Sequence, residues 1–433
     1  MFTENDFCNI VSKKIKMKFK GLICLIIGFS MSFSVVAQKI AEIKVDVDII
    51  SRFSYPVSVD LSSITPLSDT LLSLVDITSG KSIQVPFQID NLNGRTLYWM
   101  IAPQSDSEKP VRVFELHRKS ETEKTPNFLA LEVNENSLVI KKHGKNLWQY
   151  NNGMAYPPEG IDSAYARSGF VHPMWTPTGK ALTRIQPSDH YHHYGLWNPW
   201  TRVTYKNELI DFWNLKERQG TVRFANFINR TSGPVFADYK ALHEHVVLKN
   251  REVPEVAMTE VQGTRIFALE KDNDYYLADI NIVLNTSPDE GVVLEEYRYG
   301  SLGWRTTEKW DRYNSEVITS EGLDRKSADG SLARWCIVQG ELDEDYGAVV
   351  MMSYPSNFNH PEPLRVWPED MYDRGDMYAN FAPTKNMDWH LEAGKSYQLN
   401  YRFLVSSKKI SSEDAEAAWV QFAHKPKITI TIY

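Results

Sequence analysis

Arg184, Asp189, His190, His192 and His193 lie within ten residues, in a stretch from His172 to Trp213 that also carries Trp175, Trp197, Trp200 and Trp213. Side chains of these types are specific in what they bind and costly to bury, so such a density points beyond packing. Imidazole titrates near neutral pH, which makes His190, His192 and His193 candidate catalytic acids and bases. Read as an extended segment, the stretch turns His190 and His192 to one side and Tyr191 and His193 to the other. On that reading His190 and His192 would share a divalent metal, with a third ligand arriving from another strand. The plainer alternative is a set of core histidines. For His172, beside Pro173, a structural turn is the simpler role, and Pro177-Thr178-Gly179 reads as a tight turn.

The later chain offers partners. Glu295 and Glu296 end a strand-like run, and adjacent residues of a strand face opposite ways, so at most one of them points into a cleft. That one would oppose an imidazole as the second acid-base group; otherwise the pair is a solvated strand edge with Arg298 beside it. Arg184 and Arg305 would hold an anionic or hydroxyl-rich group, with Asp189, Asn359 and His360 as further polar contacts. Trp197, Trp200 and Trp304 would stack on sugar rings. The chain has 12 Trp and 21 Tyr, and indole and phenol offer both a face and a donor to a carbohydrate.

The elements that must position these groups are mostly strands. In Ile40–Ile49 and Tyr275–Leu284 apolar residues alternate with polar ones, and in the second Tyr276, Ala278, Ile280, Ile282 and Leu284 share a face. Val235–Leu248 and Thr259–Leu269 also read as long strands, which suit broad antiparallel sheets. One helix is expected over 411–423, with Ser411 as its cap and Pro426 beyond its end, followed by a strand at Ile428–Tyr433. The polar stretch Lys119–Asn127 predicts a boundary. It divides a small N-terminal β-sandwich (38–126), expected to be an accessory module, from a large antiparallel β-sandwich (127–433) that carries every candidate group.

Lys18 and Lys20 precede an apolar run from Gly21 to Val36, and Val35-Val36-Ala37 supplies small residues before Gln38. This is the layout of a cleavable secretory leader covering 1–37, with Met17 as an alternative start. The run is shorter than the ~20 residues a membrane span needs. Cleavage would leave Cys336 as the single cysteine, so no intrachain disulfide forms, as suits a large periplasmic protein. The leader holds five Lys and two acidic residues, so its loss takes the net charge from −7 to −10. An acidic chain without a basic block is a poor match for nucleic acid. Localisation is therefore expected to be periplasmic or secreted, without stable membrane insertion.

Asp189-His190-Tyr191-His192-His193-Tyr194-Gly195-Leu196-Trp197, with His172-Pro173, Thr176-Pro177-Thr178-Gly179 and Asp211-Phe212-Trp213 around it, resembles the signature block of a bacterial domain-of-unknown-function family labelled "methane oxygenase PmoA-like". The loop Asn357 to Pro361, the element Phe381-Ala382-Pro383 and the strand Ala393 to Arg402 are similar to later family elements, so the resemblance spans roughly 138–405. The methane label does not suit a mature chain without spanning helices. The order of histidines followed by a glutamate is loosely similar to galactose-mutarotase-like supersandwich proteins. This implies a supersandwich and, by analogy of fold alone, carbohydrate chemistry.

Three functions are open from the sequence. One is a carbohydrate-active lyase, hydrolase or epimerase using His/Glu acid-base chemistry. The second is a non-catalytic glycan-binding protein, and the third an enzyme with a histidine-ligated divalent metal, the one cofactor these residues suggest.

Overall fold

The computed structural model describes residues 38–47, 52–103, 110–119 and 127–433. The expected leader and the core of the expected boundary, 120–126, lie outside the described residues. The described residues belong to one compact unit, mostly β, with a single α-helix among them, near the C-terminus.

The alternating segments become strands because one face of each meets a core. Ile43, Val45 and Val47 are buried, and so are Tyr276, Ala278, Ile280, Ile282 and Leu284. The strand Tyr275–Thr286 sits inside an eight-stranded antiparallel sheet. Its neighbours are Glu255–Phe267 and Ser396–Ser406, and Phe236–Val247 lies one strand further out. A nine-stranded sheet faces it and holds the short strands Leu196–Trp197, Gly303–Arg305 and Tyr378–Phe381 side by side. Between the two lies the largest core, where Ile140 and Trp148 meet Tyr239, Ile280 and Phe403.

A smaller sandwich packs a five-stranded sheet and a three-stranded sheet around Val45, Val57, Leu74, Trp99 and Phe114. Its edge strand comes from the far end of the chain: Ile428–Ile432 pairs antiparallel with Gln38–Asp46. The helix Ser412–Ala423 starts where expected, and the Ser411 side chain accepts a hydrogen bond from the Asp414 amide. Its apolar side, through Trp419 and Ala415, covers one end of the outer face of the eight-stranded sheet, beside Phe236, Ile337 and Leu404. Cys336 is free and buried. No helix among the described residues is long and apolar enough to cross a membrane.

Candidate functional site

The histidine segment is not extended. Ile185 bridges Tyr194, and the loop between them is closed by a hydrogen bond from the Gln186 amide to the His193 carbonyl, with Gln186 at φ +47°. Inside the loop the His190 amide donates to Pro187 O (2.8 Å) and the His193 amide to His190 O (3.0 Å). Those are two consecutive turns. Turns replace the two-sided alternation of a strand, so the expectation that His193 points away from His190 and His192 is corrected. All three imidazoles meet, and one ligand atom from each lies within 4.8 Å of the others, the one such group among the described residues. His190 stacks on His193 with ring centres 4.6 Å apart, and His192 sits edge-on to both.

The cluster is held from behind by a chain of charges. His190 Nδ1 lies 2.8 Å from Asp189 Oδ2, and Arg305 donates to the same oxygen at 2.8 Å. Arg305 also donates to Asp376 Oδ2 (2.9 Å), which accepts from Arg184 as well (2.6 Å). The sheet explains this convergence. Arg305 pairs with Tyr378, two residues from Asp376, while the Arg184 amide donates to Arg305 O. Arg305 is fully buried, its guanidinium 4.5 Å from the Trp367 ring centre.

This surrounding sets the ionisation. Burial works against the Asp189 carboxylate, but the His190 hydrogen bond and Arg305 outweigh it and hold its pKa well below the usual range. Burial, with neighbouring His190 adding to it, pushes His192 down to about 3. Burial, with His192 and Arg305 adding to it, also pushes His193 well below the usual imidazole range, and its Nδ1 is buried without a hydrogen-bond partner. His192 and His193 are thus neutral at physiological pH, the form that ligates metals.

The triplet lines a cleft of about 340 Å³. Trp213, Tyr299, Tyr372 and Trp367 give it aromatic walls, and Arg298 and Arg365 add positive charge. Trp213 is aimed by its own motif: Asp211 accepts from the Trp213 and Asn214 amides at 2.7 and 2.8 Å. The Tyr372 hydroxyl lies 3.3 Å from His190 Nε2.

Other expected site residues fall elsewhere. Glu295 is not opposite an imidazole: it pairs with Arg202 (2.7 Å) and accepts from Thr204 (2.6 Å). Glu296 is exposed, its amide bonded to Asp388. Trp304 and Trp200 belong to the main core, and Trp197 is buried behind His193, so none of the three presents a face to a ligand in the cleft. Asn359 donates to Pro383 O and Asn386, while His360 lies beside Ser353 and Trp419; neither lines the cleft. His172 lies in the strand Phe170–Met174, its Nδ1 2.9 Å from Thr183 Oγ1, and burial lowers it to about 4. Gly179, at φ +97° with its amide on Thr176 O, closes the expected tight turn. Asp376, Trp367 and Tyr372 were not anticipated; what could have flagged an acidic partner is that two arginines, Arg184 and Arg305, needed one.

The chain belongs to a family of unknown function (DUF6807), whose model matches residues 137–420. Among curated proteins, none matches it. Among solved structures it is similar to a mutant of the heparan sulfate lyase HepC from Pedobacter heparinus, at 8% identity and a TM-score of 0.31 over 67% of this chain. It is likewise similar to HepC without the mutation, at 7% identity and a TM-score of 0.30 over 68% of this chain. The chain spans 38% of the length of either lyase structure.

Proposed function

We propose that this protein is a periplasmic or secreted carbohydrate-active enzyme whose histidine triplet holds a divalent metal, and that it acts on an acidic sugar or oligosaccharide. The observation that carries this reading is the meeting of three imidazole nitrogens within 4.8 Å on the wall of a cleft. A tetrahedral zinc site asks for nitrogens roughly 3.3 Å apart, so binding would draw the imidazoles together by up to about 1.5 Å, and three histidines leave a fourth position open to substrate. The metal would act as a Lewis acid on a substrate oxygen.

The chain's own residues do the rest. Asp189 takes the Nδ1 proton of His190 as a hydrogen bond and so turns Nε2 towards the cleft. Arg305 keeps Asp189 ionised and in place. Arg298, which has no carboxylate partner among the described residues, is exposed at the cleft and suits a carboxylate on the sugar. Tyr299 and Tyr372 offer ring faces. The leader-like N-terminus supports export.

Uronic-acid oligosaccharides, assayed for new reducing ends and for unsaturated products, test the proposal and separate hydrolysis from elimination. Turnover abolished by chelation and restored by zinc is expected. Turnover that survives chelation, or survives His192→Ala unchanged, would sink it.

A further inference from the structure

The outer face of the eight-stranded sheet is polar where the helix does not cover it. Register explains the pattern. Asp238 pairs with Arg265, Arg265 with Asp279, and Asp279 with Arg402, so four strands present alternating charges in one row. The next row on the same face is Lys240, Gly263, Asn281 and Asn400. The charged row is internally neutralised: Arg265 donates to Asp238 and to Asp90 of the smaller sandwich, and Arg402 grips Asp279 with two nitrogens (2.5 and 2.8 Å).

The Asp90–Arg265 bond does a second thing. It fixes the smaller sandwich against the sheet, with the Arg265 guanidinium 4.8 Å from the Tyr98 ring. A trough runs between them. Two adjoining cavities of about 360 and 690 Å³ share Tyr98, Asp279, Gln398, Asn400 and Phe422, and neither shares a residue with the histidine cleft. Asn281 donates to Asn400 (2.8 Å), as does Gln398 (2.9 Å). Gln421, nine-tenths buried at the edge of the larger cavity, has a side-chain nitrogen with no partner. Gly263 keeps the floor open: a Cβ there would meet Lys240 and Asn281 at 3.5 and 3.8 Å, ordinary contact distances.

We propose that this trough is a second carbohydrate site, distinct from the histidine cleft, which binds a neutral linear oligosaccharide. Its three carboxylates, Asp90, Asp238 and Asp279, are paired with Arg265 and Arg402, and with Lys240 and Lys425 added the four cations exceed the acids by one, so it offers little net field to an anion. What it does offer is a row of amides, each both donor and acceptor as hydroxyl groups require, between the aromatic side chains of Tyr98 and Phe422. The length across several strands suits several sugar units rather than one.

The test uses the chain from 38 to 433 and an array of neutral hexasaccharides: β-1,4-glucan, β-1,3-glucan, β-1,4-xylan and β-1,4-mannan. At least one binds the wild type and His192→Ala equally, while Gly263→Leu, which fills the floor, and Asn281→Ala each weaken it at least tenfold. Should Gly263→Leu not fold, Asn281→Ala, checked for wild-type thermal unfolding, decides alone. Binding to none of the four, binding untouched by the trough variants, or binding lost in His192→Ala would overturn the proposal.

Discussion

Two groups of histidines sit in this molecule, and their surroundings differ in kind. His243 and His245 lie on the strand Phe236–Val247, fully buried, and both reach Glu260 on the neighbouring strand at 3.2 and 2.9 Å. Tyr150 meets the other nitrogen of His243 at 2.6 Å, and Asn198 donates to Glu260 at 2.8 Å. Three of the four ring nitrogens there have partners, and only His245 Nδ1 has none. His190, His192 and His193 instead sit on turns, open onto a cleft, and face one another rather than a shared carboxylate. Regular strands close a polar group into the core with its partners, whereas a folded loop can gather like groups and leave room between them. A count of histidines cannot tell these apart.

The largest expected effect sharpens that contrast. Glu260→Ala removes the partner of two buried imidazoles and should cost about 3–5 kcal/mol in denaturant unfolding. His192→Ala should cost under about 1 kcal/mol in metal-free protein. Equal losses in the two variants would break the comparison.

A second buried carboxylate, Glu362, separates the effect of imidazole partners from that of burial. Burial pushes Glu362 up to about 7 although Ser353, Asn357 and Tyr401 all donate to it. Burial also opposes Glu260, but hydrogen bonds from His243 and His245 bring it down to about 2. The signs are opposite. Glu260 contributes stability above its unfolded pKa near 4.5, lost as pH falls towards about 2. Glu362 contributes stability at acid pH, lost as pH rises from near 4.5 through about 7, by roughly 3 kcal/mol. Buried neutral His172, His192 and His193 raise stability over part of the same range. The loss is therefore read as the unfolding free energy of the wild type minus that of Glu362→Gln, which should fall from pH 4 to 8. A difference that stays constant over that range would assign Glu362 no such role.

A smaller effect concerns the support behind the cleft. Asp189→Asn should weaken zinc binding ten- to a hundredfold without removing a ligand, as loss of a carboxylate behind a ligating histidine does. Unchanged zinc affinity would detach Asp189 from the metal.

Much of the fold was legible because strand alternation records which face is buried, as in Tyr276 to Leu284, and because Ser411 and Pro426 bracket the helix. The cluster of Arg184, Asp189 and the histidines was legible as residue types at close spacing. Its geometry was not. Pro187, Ser188 and Asp189 are turn formers that mark the turn at 187–190, whereas the turn at 190–193 holds only His and Tyr, and a strand through it sends His193 the wrong way. Trp367 and Tyr372 reach the cleft, and Asp376 reaches Arg184 behind it, only through sheet pairing across more than 170 residues, which local pattern does not encode. Trp200 and Trp304 are read equally well as stacking platforms or as core, and packing chose the core. His243 and His245, at alternate positions of one ordinary strand, and Glu260 on its neighbour carry no local signal, because the pairing that joins them is between strands.

The most direct test is metal content. The chain from 38 to 433 is loaded with zinc, freed of excess by gel filtration and analysed for bound metal beside His192→Ala. About one zinc per chain in the wild type, and almost none in the variant, is predicted. No retained zinc in the wild type, or equal amounts in both, would contradict the assignment of the triplet as a metal centre.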